Sequence, residues 1–454
     1  MNLSPGIAAQ VDDLHRALET NPGDPSVLER IEDLHRGAGD DDGWVRSLRR
    51  AVKVASDHDD RDLAVLAWVH LAEVYLTQFG DRDQGADALE QAARLDPADA
   101  TRHEVLVELW SRPPARPDRV AAHHRALVGL DPGRVASLRA LFENNLAAGA
   151  QDAAFCCAEA LSFLGRADTA VLEIVGRLRP RTAKLPQRAL TPEEWRRGIL
   201  LAEHTNTVAA VFSVLAGPVA DLYKVDLRAR LSADDRVDVA STPLAFARRF
   251  AAAANALAVP LPEVYRWRGG RGVEFLHAGA PVLLAGEDLM AGRDDAELLF
   301  VAGRHLAYLR PECYLLRVLR GQLPTLRAIF LGSLQIALPA IELPVDDARL
   351  VDPLYPRLEK ALGPKARAAI AALVPRFQQL GGVVDLERFT VTAESAANRA
   401  GLLLAGELQG AIAALLKETP LSPAPLETQA STLVGYAVSE PYAELRAALG
   451  LAVA

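Results

Sequence analysis

The chain has 454 residues, enough for two or three domains that each bury a core. Half of the residues are hydrophobic and 24% are charged, the composition of a globular protein rather than of a disordered or fibrous one. A net charge of −9 at pH 7 and a pI near 5.7 argue against a nucleic-acid surface, so no nucleic acid is expected as a partner.

At the start, MNLSPGIAAQVDDLHRALE has no basic stretch followed by an apolar core, and no signal peptide is expected. Met1 to Asp62 holds fourteen Asp and Glu against eight Lys and Arg, which reads as a solvated acidic face. Across the first third, similar segments recur. RALETNPGDP from Arg16 and RAVKVASDHD from Arg50 are offset by 34 residues, and so are AARLDPADA from Ala92 and ALVGLDPGR from Ala126. This period resembles that of tetratricopeptide repeats, paired helices in which a proline closes the second. The best unit, WVHLAEVYLTQFGDRDQGADALEQAARLDP, is similar to the family pattern at Trp68, Leu71, Ala72, Tyr75, Ala92 or Ala93, and Pro97. A fifth unit is expected in LRALFENNLAAGAQDAAFCCAEALSFLG. One helix pair cannot bury its own apolar face, so Trp68, Leu71, Tyr75 and Trp110 are expected in the core between pairs. The resemblance implies protein or peptide partners on the repeat surface.

Cys156 and Cys157 fall inside a helix of the fifth unit and are expected to be inert. With Cys313 they make an odd, sparse set that fits a reducing compartment, and a cytoplasmic protein. The repeat pattern fades after Gly165. RLRPRTAKLPQRAL then carries Arg177, Arg179, Arg181, Lys184 and Arg188 with two prolines and no acid, and is expected to be an extended, solvated connector. TPEEW restarts helix, with Thr191 as cap, Pro192 in the first turn and Glu194 at the third position.

Beyond it, helices are expected from Leu200 to Leu231 and from Pro243 to Leu257. EVYRWRGGRGVEFLHAGAPVLLAGE reads as two or three strands, with GGRG as a hairpin turn rather than a phosphate cradle. In DDAELLFVAGRHLAYLRPECYL, Asp294 followed by Glu297 is a capping-box start, and the next fifteen positions form an apolar helix that must be buried. That helix carries Arg304, His305 and Tyr308, which need partners once desolvated. The run AIFLGSLQIALPAI, Ala328 to Ile341, has fourteen residues, whereas a membrane span needs about twenty. It predicts a buried helix pair and no integral membrane segment. Long apolar helices to about Leu380 follow, then a helix through TAESAANRAGLLLAGELQGAIAALL, and finally SEPYAELRAALGL, capped by Ser439.

The Arg304 helix resembles the active-site helix of HtpX-like and BepA-like zinc metallopeptidases, where an acidic residue and Leu lead into His-Glu-x-x-His. On that frame Arg304 takes the place of the first metal-binding His, His305 that of the catalytic Glu, and Tyr308 that of the second His. Arginine has no lone pair to give a metal. The family's later Glu-x-x-x-Asp is matched by Glu394 and Asn398, with Asp changed to Asn. The resemblance implies that Arg304, Tyr308, Glu394 and Asn398 meet, with Arg304 paired to Glu394 and Tyr308 bonded to Asn398 or Glu394. The bland alternative has Arg304 snorkelling to the surface and His305 at a helix edge. His305, Glu312, Cys313 and His277 are metal ligands by type, but no two have a recognised ligand spacing. No metal or other cofactor is expected.

The expected fold is mainly α, a helical-repeat array over 1–176, a basic linker over 177–191, and a mostly helical metallopeptidase-like α+β domain with a small sheet over 192–454. The leading functional expectation is a non-catalytic scaffold, a pseudoenzyme. The alternatives are a hydrolase with His305 as base and Tyr308 as oxyanion donor, and a regulatory domain binding a peptide or small ligand.

Overall fold

The computed structural model describes residues 3–201, 207–227, 231–239, 241–379 and 384–453. It divides into two compact units, Met1–Asn144 and Asn145–Ala454. The described residues form a mainly α protein of twenty-four α-helices and one four-stranded sheet.

The first unit is a helical-repeat array: α1 (Pro5–Thr20), α2 (Pro25–Ala38), α3 (Asp41–His58), α4 (Arg61–Thr77), α5 (Arg82–Leu95), α6 (Ala100–Ser111), α7 (Pro117–Leu130) and the start of α8 (Val135–Ala147). From α1 to α7 each helix packs on the next, so the core is one continuous strip running from Val11 to Trp110. Part of the acidity of this unit has a local use. Asp24, Asp40, Asp60, Asp81 and Asp99 are N-caps whose carboxylates accept backbone N–H groups of the following turn. Each such cap contributes about 1 kcal/mol.

Leu71, Tyr75 and Trp110 lie in the core, but Trp68 is only half-buried. The buried stripe of α4 runs through Leu63, Ala67, Leu71 and Val74, and Trp68 stands one residue round from it. Trp44 from α3 is fully enclosed instead. Pro97 is exposed just beyond α5, which stops at Leu95.

The second unit comprises α9 (Gln151–Phe163), α10 (Thr169–Leu178), α11 (Pro192–Glu194), α12 (Thr207–Ala220), α13 (Ala245–Ala256), α14 (Glu287–Met290), α15 (Asp295–Ala307), α16 (Pro311–Val318), α17 (Leu323–Ala337), α18 (Val345–Val351), α19 (Tyr355–Ala361), α20 (Pro364–Gln379), α21 (Leu386–Ala405), α22 (Leu408–Leu415), α23 (Leu426–Ala437) and α24 (Glu440–Ala448). Its strands are β1 (Arg236–Val237), β2 (Glu263–Trp267), β3 (Val273–His277) and β4 (Pro281–Gly286), in the order β1-β2-β4-β3. The GGRG segment is therefore not a hairpin. β4 lies between β2 and β3, parallel to β2 and antiparallel to β3, and the tight turn is at Gly279, with φ 84°.

Helices α9 and α10, expected to close the repeat array, pack within the second unit. Buried Glu159 on α9 accepts the Leu408 backbone N–H at 2.9 Å, and Asp152 at the start of α9 accepts Arg446 Nη2 at 2.7 Å. The basic connector is largely exposed, as expected, but it is also anchored at three points. Gln187 N–H donates to the Leu449 carbonyl at 3.0 Å, Leu190 N–H to that of Ala256 at 2.7 Å, and Lys184 Nζ to that of Ala452. Thr191 and Glu194 form the expected capping box, but the turn passes at once into a π-helical segment, Trp195–Ile199. The apolar run from Ala328 belongs to a single buried helix, α17, and not to a pair. The helix expected from Leu200 to Leu231 is shorter than that, since α12 ends at Ala220, and residues 202–206 and 228–230 of the expected span lie outside the described residues. Among the described residues no helix is long and apolar enough to cross a membrane.

Candidate functional site at the crossing of two buried helices

Every residue of α15 from Ala296 to Ala307 is buried, so its polar side chains must be satisfied from within the protein. Asp294 caps it, accepting Glu297 N–H at 2.8 Å, while the Glu297 side chain turns away from the cap to Lys417. Against α15 lies α21, also buried along most of its length.

Arg304 is 1% exposed and does not snorkel. Its Nη2 donates to Glu394 Oε1 at 2.6 Å and its Nη1 donates to Asn398 Oδ1. Asn398 Nδ2 donates to Gln429 Oε1 at 2.8 Å, and Gln429 Nε2 donates to Glu394 Oε2 at 3.0 Å, closing a ring of four side chains. Glu394 also accepts the backbone N–H groups of Leu421 and Ser422, both at 2.9 Å, and the Ser422 hydroxyl at 2.5 Å. A carboxylate holding five hydrogen bonds has little electron density left to offer another ligand. Burial works against the charge on Arg304, but Tyr308, Glu394 and Glu418 hold its pKa above the ordinary arginine value.

The structure thus brings Arg304, Glu394 and Asn398 together and sets Tyr308 beside them, its ring 5.9 Å from the guanidinium. Tyr308 does not bond to Asn398 or Glu394. Its hydroxyl has no hydrogen-bond partner among the described residues, and burial pushes its pKa up. His305 is not at a helix edge. It is 2% exposed and its Nε2 lies 2.8 Å from Glu418 Oε2. Burial lowers the His305 pKa to about 4, against the pull of Glu418. Burial alone would push Glu418 up, but the contact with His305 and the charges of Arg304 and Arg317 outweigh it and hold the carboxyl down at about 2. A neutral imidazole donating to a carboxylate follows from these directions.

The sequence reading missed Glu418, Gln429 and Ser422. Lys417-Glu418 after an apolar run looks like a solvated helix end, and Gln429 stands in a mixed helix with no spacing that marks it. One signal was available: a third and fourth polar group are needed to saturate a buried Glu394 once Arg304 has taken one oxygen.

The zinc that the metallopeptidase resemblance implies does not fit these residues. Arg304 offers no lone pair, Tyr308 is held protonated, and Glu394 is saturated. The other metal-type side chains are scattered. His277 bonds Tyr314 at 2.8 Å and Asp221 at 3.0 Å, Glu312 pairs with Arg310, and Cys313 is buried with its pKa raised by burial. Among the described residues no group of three or more His, Cys, Asp and Glu side chains is arranged to hold a metal ion.

No protein-family model matches the chain. No curated protein matches it either. Among solved structures, two of MamA are similar to part of the chain. One is 15% identical, covering 38% of this chain and 90% of that one. The other is 16% identical, covering 41% of this chain and 90% of that one. The TM-score is 0.22 in each case, too low to carry an argument about fold or role. The helical-repeat assignment rests on the helix-on-helix order of α1 to α7 alone.

Proposed function

We propose that the protein is a scaffold that binds protein or peptide partners through its helical-repeat unit, and that its second unit is a metallopeptidase-like fold without metallopeptidase chemistry. The observation that carries this reading is the buried pair of Arg304 and Glu394, 2.6 Å apart. A guanidinium there supplies fixed positive charge to the carboxylate, and Asn398 and Gln429 tie the two together through both ends of the pair. What remains for function is surface, and a repeat array offers a long one. The exposed Glu73, Glu104 and Glu108 of α4 and α6 are each paired to an arginine of the chain itself, Arg36, Arg134 and Arg112, so the charge of these positions is balanced internally.

Two measurements on the full-length chain test this reading. Incubation with an unfolded protein substrate, with and without added zinc, should give no cleavage that depends on the chain. Retention of partner proteins by the full-length chain in a pull-down should fall when the exposed Phe79 and Val105 of the repeat unit are both changed to Glu. Zinc-dependent cleavage lost in Glu394→Gln would overturn the reading of the second unit.

A further inference from the structure

The first unit holds a hydrogen-bonded relay where α1, α2 and α3 meet. His15 Nε2 lies 3.0 Å from Ser47 Oγ, Ser47 Oγ lies 2.9 Å from His35 Nε2, and His35 Nδ1 lies 3.3 Å from Asp40 Oδ2. All four residues are buried to within a few per cent, yet all four line a surface cavity of about 420 Å³ together with Arg46 and Arg50.

The partners fix the order of the protons. A lone pair on His35 Nδ1 would face the Asp40 carboxylate, so that nitrogen carries the hydrogen and donates to it, leaving Nε2 as an acceptor. Ser47 therefore donates to His35. The second interaction of the hydroxyl must then be as acceptor, so His15 Nε2 carries a hydrogen and donates to Ser47 Oγ. His15 Nδ1 is left as a bare acceptor, and it has no hydrogen-bond partner among the described residues, in keeping with this order. The reverse order would bury an unpaired N–H and set two lone pairs against each other. Asp40 is itself fixed, because its other oxygen accepts Gly43 N–H at 3.2 Å. Gly43 leaves the space for this arrangement, since a Cβ there would lie 2.7 Å from His35 Cε1 and collide with the Asp40 carboxylate.

We propose that Ser47, His35 and Asp40 form a nucleophile, base and orienting carboxylate for hydrolysis of a small carboxylic ester in this cavity, with His15 as oxyanion donor. Ser47 Oγ attacks the ester carbonyl carbon while its proton passes to His35 Nε2. The carbonyl electron pair moves onto oxygen, where the His15 Nε2–H can follow it, being already aimed at Oγ. Collapse breaks the bond to the alcohol oxygen, which leaves with the proton from His35. Water then gives its proton to His35 and its oxygen to the acyl carbon, and Ser47 leaves, recovering the proton. The products are the carboxylic acid and the alcohol. Charge round the cavity is mixed, with Asp12 and Asp40 against Arg46 and Arg50 and with Arg50 held by Glu19 at 2.8 Å, so the lining favours a small uncharged acyl group. The site lies within the first unit and does not depend on the scaffold reading.

The test uses the full-length chain with p-nitrophenyl acetate, p-nitrophenyl hydrogen succinate and a fluorophosphonate probe. The expected result is a covalent fluorophosphonate adduct on Ser47, identified by peptide mass, and turnover of the acetate ester at least as fast as that of the succinate. Ser47→Ala should lose both adduct and turnover, the latter by roughly a hundred-fold or more. Asp40→Asn should slow both adduct formation and turnover, because the amide no longer fixes the His35 tautomer that leaves Nε2 free, and should shift the pH profile of the turnover that remains. Absence of an adduct on Ser47 in the folded wild-type chain overturns the proposal, as does hydrolysis unchanged in Ser47→Ala. If that variant fails to fold by circular dichroism, the adduct on the wild-type chain decides.

Discussion

Gly303 and Gly401 face each other where α15 crosses α21. A Cβ on Gly303 would lie 2.8 Å from the Ala400 carbonyl oxygen, and one on Gly401 would lie 2.8 Å from that of Phe300. The two backbones therefore approach as closely as they do only because neither residue has a side chain. That approach brings Arg304, one residue on from Gly303, within reach of Glu394 and Asn398.

Replacing Gly303 with Ala should destabilise the second unit by about 1–3 kcal/mol, the usual cost of forcing a methyl into a filled core. The shift should appear as a lower midpoint in urea denaturation. An unchanged midpoint would mean that the helices separate at no cost.

Removing one member of the Arg304–Glu394 pair strands the other charge in a dry interior, which typically costs about 3–5 kcal/mol. Arg304→Met and Glu394→Leu should each show a drop of that order. The double variant should be more stable than the sum of the two losses implies, because no charge is then left unpaired. A denaturant-based double-mutant cycle reads the coupling directly; additive losses would show that the two charges do not depend on each other.

Acid should weaken the fold through His305, His15 and Glu418. The folded pKa of each histidine is depressed from 6.5 to about 4, so the unfolded chain takes up those protons first as pH falls below 6.5, and stability declines until about pH 4. The Glu418 carboxyl is depressed from 4.5 to about 2, so its contribution, full above 4.5, is lost on further acidification toward 2. For the fully enclosed His305 the effect is on the order of 3 kcal/mol. Calorimetric melting against pH should show a flatter curve between 6.5 and 4 in His305→Gln than in the wild type.

Glu159 should act with the opposite sign. Burial raises its pKa from 4.5 to about 7, so the folded state binds its proton more tightly, and stability falls as pH rises from 4.5 through 7. Leu408 N–H at 2.9 Å and Arg179 at 3.1 Å offset part of that cost. Glu159→Gln should lose less melting temperature than the wild type over this interval. A parallel loss in both would remove Glu159 as the titrating group.

Several parts of this arrangement were legible in the residues. Asp294 before an apolar run gave the start of α15, Ser439 that of the last helix, and the four-residue step from Glu394 to Asn398 put both on one helix face. The resemblance supplied the pairing of Arg304 with Glu394. The fate of Tyr308 and His305 was not legible, because the side chains beside them come from chain segments far away in sequence. Glu418 is 113 residues beyond His305, and nothing local marks it as buried.

The relay at Ser47 was missed for a related reason. His15, His35 and Ser47 stand on three successive helices with no motif spacing, and Asp40 reads as an ordinary cap, which it also is. The same carboxylate serves the start of α3 with one oxygen and His35 with the other.

By itself the amino-acid order determined where several helices begin, as at Asp294 and Ser439, and that the first third is built from stacked helices. Those properties depend on residues within a few turns of one another, through capping, periodicity and proline. Only the tertiary structure decided that β4 separates β2 from β3, that α9 and α10 pack within the second unit, and that Glu394 is saturated by Leu421, Ser422 and Gln429 as well as by Arg304. The reason is burial. A charged group away from water needs partners for most of its lone pairs and protons, and the groups able to supply them are chosen by three-dimensional packing, not by distance along the chain.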